Sequence, residues 1–440
     1  MSRPSPSLEL TNPSLSLERI APKAGPGIVA IILLLFCLAA AFSAERKDVT
    51  RGFDEVAHVS YVAALQHSGE IFPALETLRM LDPATFRFTG EPNYLNHPPF
   101  YYWLLARLGP ALEGNPSAIF THRLLNVLLA AIGLAALLSI GLVAGMERLR
   151  FYAYAIPLAC IPVLAPIAGS VNPDNLAFAG GAIAIMSAWQ LIATGRDAWL
   201  WAALVGVVVA SLSKLTGLLL TGGMLAVVFA YLLWRGRFRR AWIFPVALAA
   251  TLALAPYLFF LVHYGSPTPN TPGQIALLEN GSKATGWADA ARMPFLSYVL
   301  AFIAAFVADW MPALAQRSAL NYAALALPVG ALLCSLAGLA VSLRRIFRRE
   351  ETTIDVIVVA GALAILATFS CNVLFSYGRH LATGWRMDAY PRYYLPLIAV
   401  VPLAGLSLLS ALHAPRWRIA LLAFLIAGPL LFRLLGSPLA

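Results

Sequence analysis

Five short segments set residues of catalytic or binding type beside long apolar runs. The first is Phe53-Asp54-Glu55-Val-Ala-His58-Val-Ser-Tyr61. Hydrophobics at Val56, Val59, Val62, Ala63 and Leu65, closed by Ser68-Gly69, predict an amphipathic helix. Asp54 and Glu55 stand at its N-terminus, where the helix dipole favours negative charge, so capping is one reading. Two adjacent acids with His58 one turn further on suit proton abstraction or a metal ion equally well. The second segment is Asn93-Tyr-Leu-Asn96-His97-Pro98-Pro99-Phe100-Tyr101-Tyr102-Trp103. It reads as a Pro-started helix whose aromatics suit either a membrane interface or a sugar platform. The third is Asn172-Pro173-Asp174-Asn175. Asp174 caps the helix that follows, or joins Asp54 as a second carboxylate for general-base or metal-assisted work. The fourth, Ser211-Leu-Ser213-Lys214-Leu-Thr216-Gly217, puts a lysine between two apolar runs. Such a side chain snorkels to the interface or holds an anionic headgroup. The fifth, Ala389-Tyr390-Pro391-Arg392-Tyr393-Tyr394-Leu-Pro396, offers a guanidinium whose fork matches phosphate geometry, with Arg379 and Arg386 nearby.

The elements that must position these residues lie in lipid. Of 440 residues, 60% are hydrophobic and 12% charged. A soluble domain carries about a quarter charged residues. With a mean hydropathy of +0.76, the chain reads as an all-α, polytopic helical membrane protein. A transmembrane barrel would show alternating segments of roughly ten residues. The net charge of +10 marks cytoplasmic loops rather than a nucleic-acid partner. Cys37, Cys160, Cys334 and Cys371 all sit in apolar runs, and no CxxC pair suggests zinc or a disulfide framework.

About eleven spans are expected: 27–44, 124–146, 151–170, 176–194, 198–213, 215–234, 241–263, 322–343, 354–376, 394–412 and 419–435. With the N-terminus inside, the clusters Arg235-Gly-Arg237-Phe-Arg239-Arg240 and Arg344-Arg345-Ile-Phe-Arg348-Arg349 both fall on the cytoplasmic side, as the positive-inside rule requires. Pro98–Leu112 and Pro294–Trp310 would raise the count to thirteen but reverse the loops between them. They are therefore expected as interfacial helices on the outer side. The organisation that follows is a polar cytoplasmic tail (1–26), an N-terminal module (27–263) that includes a first outer loop (45–123), a second outer loop with an interfacial helix (264–321) and a four-span C-terminal module (322–440). A third outer segment, 377–393, holds Arg379, His380, Arg386, Asp388 and Arg392. All five chemistry-bearing segments fall on the outer face. No Walker loop, GxSxG or HExxH occurs, and charges in mid-span are scarce, which disfavours ATP-driven and ion-coupled transport.

Taken in order, these motifs resemble the C-type (GT-C) superfamily of integral-membrane glycosyltransferases, whose members include protein O-mannosyltransferases and bacterial aminoarabinose transferases. The resemblance covers roughly residues 28–410 and is strongest over the first 220. It implies a sugar on a polyprenyl phosphate (undecaprenyl phosphate in bacteria) as donor, used at the extracytoplasmic face of a bacterial-type inner membrane. The acceptor is then a glycan, lipid or protein. By motif position, Asp54 is the general base with Glu55 beside it, and Asp174 is the second acid. Lys214, Arg392 and Tyr393 are implied at the donor phosphate, together with His97 if protonated. His58, Tyr61, Tyr101, Tyr102 and Asn172 remain for sugar or acceptor. The two acids permit a divalent metal ion at Asp54 and Asp174, and no other cofactor is indicated. The rival readings are a polyprenyl-lipid flippase or carrier, a non-catalytic lipid-binding assembly subunit, and a ligase acting on a pyrophosphate-linked donor through Arg379, Arg386 and Arg392.

Overall fold

A computed structural model describes residues 23–309, 326–386 and 390–436. Most of the expected cytoplasmic tail, the end of the second outer loop with Trp310, Asp388 and the last four residues lie outside the described residues.

Each apolar run expected to cross a membrane is helical. In chain order the helices are α1 (Pro26–Arg46), α2 (Glu55–Ser68), α3 (Phe100–Leu108), α4 (Ala118–Val143), α5 (Arg148–Ala159), α6 (Leu164–Ala168), α7 (Asp174–Thr194) and α8 (Asp197–Ser213). They continue with α9 (Leu215–Trp234), α10 (Ile243–Tyr264), α11 (Pro272–Ala284), α12 (Phe295–Asp309), α13 (Ala326–Arg348), α14 (Thr353–Thr383), α15 (Val400–Ala411) and α16 (Pro415–Gly436). A 3₁₀ segment, Pro391–Leu397, leads into α15. Among the described residues, eight helices are long and apolar enough to cross a membrane. A ninth span results if Pro391–Leu397 and α15, bent by 61° to each other, are taken as one.

The difference from eleven has local causes. The run 151–170 contains Pro157, Pro162 and Pro166, and it breaks into α5 and α6 because proline lacks the helix N–H and clashes with the preceding turn. Helix α8 has only 17 residues, about 26 Å at 1.5 Å per residue. Helix α3, with nine residues, is too short to span and suits the interfacial expectation. The first outer loop also contains an antiparallel hairpin, β1 (Arg79–Leu81) with β2 (Phe88–Pro92), which the sequence reading did not foresee.

Loop contacts sort the helix ends into two sets. Lys23 bridges to Glu147, Arg239 pairs with Asp197, and Arg235 pairs with Glu351. These are the loops that the positive-inside rule places together. The other set brings together the first outer loop, the turn before α7, the α8–α9 joint, α11 and the segment before α15. A main core of buried aliphatics and aromatics fills the helix bundle, and a second cluster, including Tyr61, Tyr101, Tyr102 and Phe260, lies under the first outer loop.

One close approach fixes the outer end. A Cβ on Gly181 of α7 would lie 2.5 Å from the Pro396 carbonyl oxygen and 2.7 Å from its Cα. The hydrogen at this position lets the segment carrying Arg392 pack directly on the helix that begins with Asp174. Gly181→Ala is therefore expected to lower stability by about 1–3 kcal/mol through overpacking and to separate the two side chains. Thermal unfolding in detergent checks the first effect. An unchanged midpoint would show that the backbone yields freely there.

Candidate active site

The site assembles from four elements at the end of the bundle opposite the basic loops. Gly52, Phe53 and Asp54 all have positive φ (80°, 61° and 57°). A phenylalanine in this region is strained, and such strain persists only where its surroundings over-determine it. Here Asn172 Nδ2 donates to the Phe53 carbonyl at 2.9 Å, and Lys47 Nζ stands 4.3 Å over the Phe53 ring. The turn aims Asp54 away from the helix it precedes. Its side chain makes no cap hydrogen bond. Instead Arg392 donates from Nη2 to Asp54 Oδ2 at 3.0 Å, and Tyr94 donates from its hydroxyl to Oδ1 at 3.2 Å. The Asp54 side chain is 46% exposed and borders a cavity of about 870 Å³.

Asp174 is likewise not a cap. Asn172 Oδ1 accepts from the Asp174 N–H at 2.9 Å, which leaves the carboxylate free for two cations. Lys214 Nζ donates to Asp174 Oδ1 at 2.9 Å. Arg392 Nε stands 3.5 Å from Oδ2. Lys214 occupies the extended joint between α8 and α9 (φ −165°, ψ 145°), with Nζ 3.8 Å over the Tyr393 ring. The result is a chain of alternating charge, Asp54–Arg392–Asp174–Lys214, drawn from residues up to 338 apart in sequence.

The cavity lining is mixed. Asp54, Tyr94, His97, Lys214, Tyr390 and Tyr393 contribute polar groups. Leu215 and Leu219 of α9, Leu277 and Leu278 of α11 and Phe375 of α14 contribute apolar surface, beside Gln274, Asn280, Asn372 and Arg379. Its volume falls within the range of small-molecule sites, about 300–1,000 Å³. Helix α11 lines it, tied to the first outer loop where Asn96 Nδ2 donates to Gln274 Oε1 at 3.3 Å and to the preceding Pro269 carbonyl at 2.9 Å.

Several sequence expectations are corrected by these positions. Glu55 does not share the cavity with Asp54. It is 1% exposed and receives Arg123 in a two-pronged pair, Nε to Oε1 and Nη2 to Oε2, both at 2.8 Å. It also accepts the Val171 N–H at 2.8 Å. Asp174 stands behind the cations, 3% exposed, and does not line the cavity. Tyr61, Tyr101 and Tyr102 are buried rather than presented to a sugar. Tyr101 donates to Asn126 at 2.7 Å, and Tyr61 stacks on Tyr102 with centroids 4.1 Å apart. His58 is buried against the Tyr102 hydroxyl at 2.9 Å. Asn172 fastens backbone on both acid-bearing segments.

His97 does line the cavity, stacked 5.9 Å from His58. Burial, reinforced by Lys214, holds both imidazoles well below their usual range, so His97 meets a ligand as a neutral group and not as a phosphate-binding cation. Burial lowers Lys47 to about 8, with Glu55 acting in the opposite sense. Burial also raises Tyr94, helped by Asp54, so its hydroxyl stays a donor to the carboxylate.

Among the described residues no three His, Cys, Asp or Glu side chains converge as a metal-ligand set. Asp54 and Asp174 are each engaged by cations, and a metal ion between them would have to displace Arg392. This donor set does not fit the metal expectation. Arg123 and Tyr94 are the functional neighbours that sequence reading missed. The one available signal was an arginine at the outer border of a span, facing a loop rich in acids.

No family model matches the chain, and no curated protein matches it. Among solved structures, it is similar to the crystal structure of ArnT from Cupriavidus metallidurans in the apo state, with 18% identity and a TM-score of 0.47. That likeness covers 90% of this chain and 62% of the other, so the chain spans less than two thirds of that structure's length. A second likeness is to ArnT from Cupriavidus metallidurans bound to undecaprenyl phosphate, with 14% identity and a TM-score of 0.35, covering 92% of this chain and 86% of that one. With TM-scores below 0.5, neither likeness by itself assigns an activity.

Proposed function

We propose that the protein is a glycosyltransferase that moves a sugar from a polyprenyl-phosphate donor to an acceptor hydroxyl at the outer face of a membrane. The observation that carries this reading is the cavity's mixed lining. A solvent-reachable carboxylate, Asp54, borders the same space as the cation Lys214 and is joined directly to Arg392. Apolar surface beside them suits a lipid tail.

A sugar or protein hydroxyl is a weak nucleophile at neutral pH. Asp54 takes its proton as the oxygen attacks the anomeric carbon. The bond from that carbon to the phosphate oxygen breaks, and its electron pair leaves on the phosphate. Lys214 and Arg392, preorganised in a water-poor setting, stabilise that developing charge. Asp174 is buried off the cavity, so no second carboxylate is placed for a covalent sugar intermediate, and a single displacement with inversion is the expected course. Tyr94 and Arg392 hold the Asp54 carboxylate in a fixed orientation, which favours transfer along one line of approach.

Native mass spectrometry of the detergent-purified protein tests the reading. Wild type is expected to retain added polyprenyl phosphate, and Arg392→Ala and Lys214→Ala to lose most of it. Retention of bulk phospholipid alone would overturn the donor assignment. Bound carrier lipid without sugar transfer to any hydroxyl acceptor would favour a carrier or sensor.

A further inference from the structure

We infer that Asp174 sets the balance between donor and spent carrier, by preventing Lys214 and Arg392 from holding the dianionic product more tightly than the monoanionic donor. This rests on the lipid-phosphate reading above.

The geometry gives Asp174 a task other than acid–base chemistry. Its carboxylate is buried, stands off the cavity and touches both cations. Asp174 Oδ2 and Arg392 Nε, 3.5 Å apart, have no hydrogen-bond partner although both are buried. They are therefore paired by charge rather than by a formed hydrogen bond. The charged and titratable groups around Asp174 are Lys214, Arg392, Asp54, Tyr393, Tyr101 and Tyr102, with His58 and His97 beside Lys214. With both imidazoles neutral, Asp54 and Asp174 oppose Lys214 and Arg392 within this cluster, and Arg379 lines the same cavity.

The reaction changes the ligand's charge. The donor is a phosphodiester with one negative charge. Transfer breaks the sugar–oxygen bond and leaves a phosphate monoester, about −1.5 to −2 at pH 7 with a second pKa near 6. Two cations without a buried counter-charge would hold the monoester more tightly than the diester, and turnover would stall on product. A fixed carboxylate touching both cations opposes one extra ligand charge by a factor on the order of 10 to 100 at an effective dielectric constant of about 20. Asp174 thus makes donor and product similar in affinity without weakening the alignment of either cation.

The test uses the full-length protein in nanodiscs, with a C55 polyprenyl monophosphate and its methyl diester as sugar-independent probes. Dissociation constants are measured at pH 8 and pH 5 for wild type, Asp174→Asn and Asp174→Glu. In Asp174→Asn the preference for monophosphate over diester is expected to rise roughly tenfold or more at pH 8. The rise should be several-fold smaller at pH 5, where only about a tenth of the free monophosphate is dianionic. Asp174→Glu should keep the wild-type ratio at both. Asp174→Ser, a second neutral side chain suited to a helix start, should repeat the Asn result and serves if that variant folds poorly. An unchanged or lower preference at pH 8 in the neutral variants, or a rise equally large at pH 5 and pH 8, overturns the inference. If wild type binds neither probe, the lipid-phosphate reading itself fails, an outcome distinct from a change in ratio.

Discussion

Asp54→Asn is expected to slow sugar transfer by about 10²–10⁴, the range a positioned general base supplies, while leaving lipid-phosphate affinity within a few-fold of wild type. The substitution keeps the size and polarity of the side chain and removes its basicity. Asp54 makes no cap hydrogen bond, so α2 keeps its start. Tyr94 can still donate to the amide oxygen. Arg392 loses its partner at 3.0 Å but retains Asp174, so the phosphate site keeps its anchor. Single-turnover transfer with a labelled donor, run beside equilibrium binding of polyprenyl phosphate, separates the two effects. A transfer rate within threefold of wild type would remove Asp54 from the role of base. Equal losses in rate and binding would make it part of the phosphate site instead.

Glu55→Ala acts on the neighbouring residue by a different route and is expected to destabilise the protein by about 3–5 kcal/mol, the usual result of leaving a buried charge unpaired. Arg123 is 4% exposed and would keep only the Ala44 and Lys47 carbonyls, each at 2.8 Å. The Val171 N–H would lose its acceptor as well. Because this cluster joins the end of α1, the turn before α2, the start of α4 and the segment before α7, its loss also releases both acid-bearing turns. Activity should therefore fall with stability, unlike the effect of Asp54→Asn. Thermal unfolding in detergent provides the measurement, and Glu55→Gln, which keeps the acceptor oxygen, should recover part of the difference. A melting temperature within a degree of wild type for Glu55→Ala would show the pair to be dispensable.

These two adjacent acids mark where sequence reading stopped. Both were visible as candidates, and the sequence offered capping and catalysis for either. Asp54 ends a left-handed turn while Glu55 opens the helix, so one side chain faces the cavity and the other the core. Which is which follows from where Arg392 and Arg123 arrive, 338 and 68 residues away. The same holds for Asp174, whose capping role passes to Asn172, and for the tyrosines of the first outer loop, whose apolar rings and polar tips fit an interface or a core equally well.

By itself the sequence determined that the chain is helical and membrane-embedded, roughly where its long apolar helices lie, and that its chemistry-bearing segments share one end. Those properties depend on hydrophobic run length and on loop charge, which are additive along the chain. The tertiary structure alone decided which carboxylate is exposed, which cation meets which acid, and that His97 is neutral. Ion pairing and desolvation fall steeply with distance and depend on what surrounds each group, and in this fold the deciding neighbours come from helices far apart in sequence.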